Sequence, residues 1–131
     1  VGHLEAGALG YNGQLANGLA ALFIACGQDV ANLANSAVGI SQFEEVADGA
    51  LSASLTLPSL TVGTVGGGTQ LGTANECLAM LGCSGSGHAK RFAEIVAATL
   101  LAGELSMAAA VASGELSTAH ESLGRNPPPA K

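Results

Sequence analysis

The chain has 131 residues, a length that a single domain of ordinary size fills. Ten acidic residues against four basic ones give a formal net charge of -6, which repels nucleic acid and anionic lipid. Apolar residues make up 48% but aromatics only 3%, so the core must be built from Ala, Leu, Val and Ile, and 19 glycines point to close packing of helix against helix.

Residues 1–10 are rich in Gly and Ala and read as a loop. A helix is expected from about Asn12, a good N-cap residue type. Leu15, Leu19, Leu22, Phe23 and Cys26 then recur at helical spacing, and Gly27 stands where a helix ends. Asp29 lies between this helix and a further helical turn over 30–34. An Asp there either caps the second turn or holds a carboxylate at a helix junction, ready to pair with a cationic catalytic group.

Two strands are expected over 38–46 and 51–57, because Asp48-Gly49 between apolar runs is a hairpin signal. In the second strand Leu51, Ala53, Leu55 and Leu57 alternate with Ser52, Ser54 and Thr56, which predicts one buried face and one polar face. Pro58 ends the strand. Leu60 and Val62 carry the alternation on into Thr64-Val65-Gly66-Gly67-Gly68-Thr69. Three consecutive glycines weaken helix and strand alike, so this stretch is read as bare backbone between a strand and a helix. Such a turn is either a flexible connection or a cradle for an anion such as phosphate. Its pattern is neither the dinucleotide fingerprint nor a P-loop.

The next helix is predicted over 70–81, with Leu71, Ala74, Leu78 and Leu81 on one stripe and Gly82 as its stop. Residues 84–87 form a flexible Ser/Gly loop. Residues 88–112 read as one long helix or two stacked ones, about 36 Å if continuous. Gly103 marks a bend or a close contact. The apolar run suggests a membrane span, but Glu104 in its middle costs about 3 kcal/mol at a bilayer centre, more than alanine offsets. A buried helix of a soluble domain is therefore expected, with no membrane segment and no secretory signal in the chain. A short helix over 115–123 carries His120, which is either a surface residue or an acid titrating near neutrality. Gly124-Arg125-Asn126 ends it, and 127–131 is an extended Pro-rich tail. His3 and His88 receive no role, and Lys90-Arg91 is expected on a solvated helix face. Cys26, Cys77 and Cys83 lack C-x-x-C spacing, so free thiols in a reducing, cytoplasmic setting are expected, with no metal site.

Four stretches resemble a known family in the right order. They are Ala25-Cys26-Gly27-Gln28-Asp29, then Leu57-Pro58-Ser59, then Val62-Gly63-Thr64-Val65-Gly66-Gly67-Gly68-Thr69, then Leu101-Ala102-Gly103-Glu104-Leu105-Ser106, with Ala119-His120 and Gly124-Arg125 following at matching spacing. Together they are similar to the C-terminal part of the catalytic domain of 3-hydroxy-3-methylglutaryl-coenzyme A (HMG-CoA) reductases of the class I branch. The resemblance implies an α+β architecture, with Ala/Gly-rich helices packed on a small antiparallel sheet, as part of the family's large substrate-binding domain. Residues 1–126 would belong to that domain and 127–131 to the tail.

The resemblance also implies a reaction of the mevalonate pathway: reduction of HMG-CoA to mevalonate and CoA by two NADPH, through a mevaldyl-CoA hemithioacetal and mevaldehyde. Asp29 and His120 take the catalytic positions, the aspartate in a network with a lysine and a glutamate, the histidine protonating the departing CoA thiolate. Asn17, Ser106 and Ala119 fall at substrate-binding positions. Gln28, Gly66, Gly67, Thr69 and Arg125 fall at cofactor positions. Gln14 stands where many class I members have a histidine near CoA. Asn126 stands where animal and plant members carry a regulatory serine, so that phosphorylation switch is expected to be absent. The family's catalytic lysine and glutamate and its small NADPH-binding domain have no counterpart in these residues. The chain is therefore expected to be inactive alone and to work joined to an N-terminal portion, in a homodimer or homotetramer with active sites at subunit interfaces. Two rivals stand beside this reading. One is a non-catalytic interaction module that keeps the fold. The other is the NAD-linked oxidation of mevalonate by class II relatives, against which the spacing from His120 to the end of the chain argues.

Overall fold

The apolar spacing that begins at Leu15 becomes helix α1 (Leu15–Ala25), whose Leu15, Leu19 and Phe23 are fully buried. The computed structural model describes residues 5–7 and 11–123. After α1 a 3-10 turn (Val30–Asn32) runs into the one-turn helix α2 (Leu33–Ser36). Strands β1 (Ile40–Glu45) and β2 (Leu51–Thr56) follow. A 3-10 turn (Ala47–Gly49) connects the strands, and a third (Gly67–Gln70) leads to helices α3 (Gly72–Met80), α4 (Ala89–Ala112) and α5 (Glu115–Leu123). The expected α+β class is what forms: five α-helices and one two-stranded antiparallel sheet among the described residues. The calls on Arg125, Asn126 and the tail over 127–131 lie outside the described residues.

The core is one cluster. Leu15, Leu19 and Phe23 of α1 meet Leu78 of α3 and Phe92, Val96 and Leu100 of α4, with Cys26 and Cys83 beside them. Each large side chain removed from water there contributes about 2 kcal/mol of hydrophobic stabilisation. The two phenylalanines are the only aromatic rings in that cluster, which agrees with a core assembled from aliphatic residues.

Asp48-Gly49 does turn the hairpin. Both residues have positive φ, 67° and 75°, which Gly adopts freely and Asp tolerates. Ile40 pairs with Thr56 at one end and Glu45 with Leu51 at the other. On β2 the predicted alternation holds for Ala53 and Leu55, half-buried between exposed Ser52, Ser54 and Thr56. Leu51 sits at the outer end of the strand and is exposed.

Four expectations are corrected. Asn12 does not cap α1: its Nδ2 donates 3.1 Å to the Gly39 carbonyl, and the helix start is held by another group described below. Residues 57–66 form no strand. The amides of Thr61 and Gly63 are taken by Ser36 Oγ and Gln28 Oε1 instead of a neighbouring strand, so the glycine turn joins an irregular loop to a helix. Leu71 leaves the predicted stripe because it precedes α3 in extended conformation and is 67% exposed, whereas Ala74 and Leu78 are buried. Finally, α4 is only partly a buried helix. It buries Phe92, Val96, Leu100 and Glu104, a single stripe at intervals of four, and only 17% of its most apolar 18-residue window is buried. By length and composition alone α4 is the one helix among the described residues that passes the test for a membrane span, a test that core helices of soluble proteins also pass. α4 runs unbroken through Gly103, so that glycine serves close contact and not a bend.

Candidate active-site cleft

The end of α1 and the glycine loop are pressed together backbone to backbone. Gly27 leaves the helix with φ 63°, and a side chain on it would overlap the Gly68 carbonyl. A Cβ on Gly68 would in turn lie 2.9 Å from the Gly27 carbonyl oxygen. The three glycines of the loop therefore do different work. Gly68 is needed for space, while Gly66 and Gly67 adopt φ 82° and 54° with nothing within 4 Å of where a side chain would start.

Gln28 fastens the same junction. Its Nε2 donates to the carbonyls of Cys26 at 3.0 Å and Gly63 at 2.9 Å, and its Oε1 accepts from the Gly63 amide at 2.8 Å. Thr69 is buried, with Oγ1 donating 2.5 Å to the Gly66 carbonyl, and Thr64 Oγ1 donates 2.7 Å to Gly85. Asp29 is exposed and caps the turn after α1, its Oδ1 accepting 2.9 Å from the Ala31 amide. The capping reading of Asp29 is thus correct in geometry, and it leaves the carboxylate at the surface.

These contacts create a cleft of about 810 Å³ lined by Gln28, Asp29, Gly66, Gly67 and Thr69 among others. Five residues singled out in the sequence, from two distant stretches, share one cavity. The other candidates do not join them. Asn17, Ser106, Ala119 and His120 are exposed and line neither this cleft nor the second large cavity. The His120 Nδ1 lies 2.7 Å from the Leu116 carbonyl, within its own helix α5.

In the sequence Glu104 stands out as an acid inside an apolar run, with no partner indicated. Glu104 is 4% exposed, and its carboxylate accepts from the Gly13 amide at 2.9 and 3.0 Å, the Gln14 amide at 2.6 Å and the Ser41 hydroxyl at 2.6 Å. It caps α1 from a helix 90 positions further along the chain. The carboxylate lies at the edge of the second cavity, about 840 Å³, walled by Tyr11, Ile40, Phe43, Met107 and Val111. The signal that could have found it is the lone acid in an apolar helix, which requires buried donors.

The three cysteines are free, Cys26 and Cys83 buried and Cys77 half-buried. Burial pushes the Cys26 thiol pKa up, and the neighbouring Cys77 and Cys83 add to the rise. No group of three His, Cys, Asp or Glu side chains that could hold a metal gathers among the described residues.

The sequence profile of the family described as hydroxymethylglutaryl-coenzyme A reductase matches residues 1–125. The chain belongs to the HMG-CoA reductase family. It is 48% identical over 125 residues to the 3-hydroxy-3-methylglutaryl-coenzyme A reductase of Methanocaldococcus jannaschii, covering 95% of this chain and 31% of that protein. It is 48% identical to the same-named protein of Pyrococcus horikoshii, covering 95% of this chain and 32% of that one. The 3-hydroxy-3-methylglutaryl-coenzyme A reductase 1 of Oryza sativa subsp. japonica is 49% identical, covering 95% of this chain and 25% of its own length. The chain thus spans about a third or less of the HMG-CoA reductases it matches.

Proposed function

We propose that this chain is part of the catalytic unit of an HMG-CoA reductase, which reduces HMG-CoA to mevalonate and CoA at the expense of two NADPH. The observation that carries this reading is the shared cleft, where Asp29 faces the same space as Gly66, Gly67 and Thr69. The cleft suits a nicotinamide nucleotide: the bare backbone of Gly66 and Gly67 leaves room for close approach, with Gln28 holding the loop in place. When bound, that cofactor supplies the hydride. Arg125 is assigned to the same cofactor, and Asn17, Ser106 and Ala119 to the substrate.

Asp29 is a surface carboxylate on a rigid junction, positioned to share a hydrogen-bonded network with a lysine and a glutamate from the rest of the enzyme. His120, on the exposed α5, supplies a proton to the CoA thiolate as it leaves. The uncovered apolar surface of α4 is covered by the remainder of the polypeptide, and the whole assembles as a dimer or tetramer.

The test is NADPH oxidation with HMG-CoA by the full-length polypeptide that contains this stretch. Turnover in the wild type and a fall in kcat of about a hundredfold or more in Asp29→Asn, with an unchanged melting curve, are expected. A folded full-length protein with no turnover would overturn the reading and leave a non-catalytic module. Turnover with NADH alone would overturn the cofactor assignment.

A further inference from the structure

We propose that Glu104 is a positioning residue that sets the substrate end of α1, an inference that rests on the reductase reading above. Three facts carry it. First, Glu104 is the only buried charged side chain among the described residues, and its carboxylate accepts from two backbone amides and one hydroxyl. Two of its donors, Gly13 N and Gln14 N, belong to the start of α1, so the carboxylate fixes where that helix begins. Second, Gly103 beside it leaves room for the Gln14 side chain. A Cβ there would collide with the Gln14 amide nitrogen, which donates 3.1 Å to the Leu100 carbonyl. Gly103 and Glu104 together form a seat on α4 for the first turn of α1. Third, the Ser41 hydroxyl ties β1 to the same carboxylate.

The consequence is directional. α1 has 11 residues and spans about 16 Å. Its first turn carries Asn17, which the reading above assigns to the substrate, and Gln14 is its N-cap residue. Its far end runs into Gln28 and Asp29, held independently by the Gly27–Gly68 contact and the Gln28 amide. Loosening the Glu104 seat therefore moves the substrate end and spares the cofactor end.

The experiment is steady-state kinetics of Glu104→Gln in the full-length enzyme. The substituted amide has one acceptor oxygen where the carboxylate has two, so with that oxygen kept on the Gln14 amide its NH2 faces the Gly13 N–H at the Oε2 position, which cannot accept. The expected result is a rise of tenfold or more in KM for HMG-CoA with KM for NADPH within twofold of wild type. A role in folding alone would lower kcat through the fraction of active enzyme and leave both KM values unchanged. Ser41→Ala removes one donor without touching α1 and is read in the same way if Glu104→Gln does not fold, with a smaller rise confined to KM for HMG-CoA. If whichever variant folds leaves KM for HMG-CoA unchanged, or shifts both KM values equally, the inference is overturned. A wild-type enzyme without turnover would instead remove the reductase reading on which it rests.

Discussion

Gly27 and Gly68 pack against each other with no side chain between them, and this contact joins the end of α1 to the glycine loop. Gly68→Ala places a methyl 2.9 Å from the Gly27 carbonyl oxygen and 3.2 Å from its Cα, both backbone atoms that move only with their elements. The cost is about 1–3 kcal/mol, as for other overpacked sites. Gly27→Ala adds an unfavourable positive φ of 63° and is expected to cost more. Gly67→Ala meets nothing and carries only the φ penalty, about 1–2 kcal/mol. Urea titration of the three variants should rank them Gly27→Ala worst and Gly67→Ala mildest. Equal losses at Gly67 and Gly68 would mean that the backbone contact is not tight in solution.

The Gln28 side chain uses both ends of its amide on backbone groups, which makes it a clamp on the glycine loop. Gln28→Glu should be more damaging than Gln28→Ala. The carboxylate has no hydrogens for the Cys26 and Gly63 carbonyls and sets negative charge against both, whereas alanine leaves a gap that water can enter. Each lost bond is worth about 1 kcal/mol. On the proposed reductase reading the loosened loop should raise KM for NADPH in both variants while KM for HMG-CoA changes little. A rise in the HMG-CoA value alone would place Gln28 outside the cofactor side.

Helix α1, helix α4 and the hairpin were legible because their signals are local. Leu15, Leu19 and Phe23 repeat at helical spacing, and Asp48-Gly49 supplies two residues that accept positive φ. The glycine loop was legible as bare backbone, but its neighbour was not. That Asp29 and Gly66 line one cleft depends on a fit between two glycines 41 positions apart, and a missing side chain gives no hint of what packs against it. Glu104 was harder still, since its principal donors are backbone amides and every residue except proline has one. The sequence therefore marks it as an anomaly in an apolar helix without naming a partner. Leu71 misled because it continues the helical spacing of Ala74 and Leu78 while lying just before the first helical residue.

Cys26 gives a prediction about alkali. Its thiol pKa is raised in the fold by burial, then by Cys77 and Cys83, so the folded protein holds that proton more tightly than the unfolded chain. The resulting stabilisation is complete below the ordinary thiol value, about 8.5, and is lost as pH rises through the raised folded value. Between those two values stability should decline more steeply in the wild type than in Cys26→Ala, which has no thiol to ionise. Iodoacetamide at pH 8, followed by mass spectrometry, should label half-buried Cys77 before Cys26. Faster labelling of Cys26 would show that it is more open than its 2% exposure indicates.

His120 is the candidate whose role depends most on what lies around it in the assembled enzyme, since it is exposed on α5 and its Nδ1 lies beside the Leu116 carbonyl of its own helix. Its proposed task is to protonate the CoA thiolate, and that task exists for only one of two possible substrates. HMG-CoA releases a thiolate during reduction, while free mevaldehyde releases nothing. His120→Gln keeps a polar side chain of similar length but cannot take up and deliver a proton near neutral pH. Reduction of HMG-CoA should fall by about a hundredfold or more, within the range for loss of a general acid. Reduction of mevaldehyde should fall by a much smaller factor. Because α5 makes no buried contact through this side chain, the melting temperature should not change. Equal losses on both substrates would show that His120 acts on the carbonyl or on binding instead. No loss on either would place α5 outside the active site.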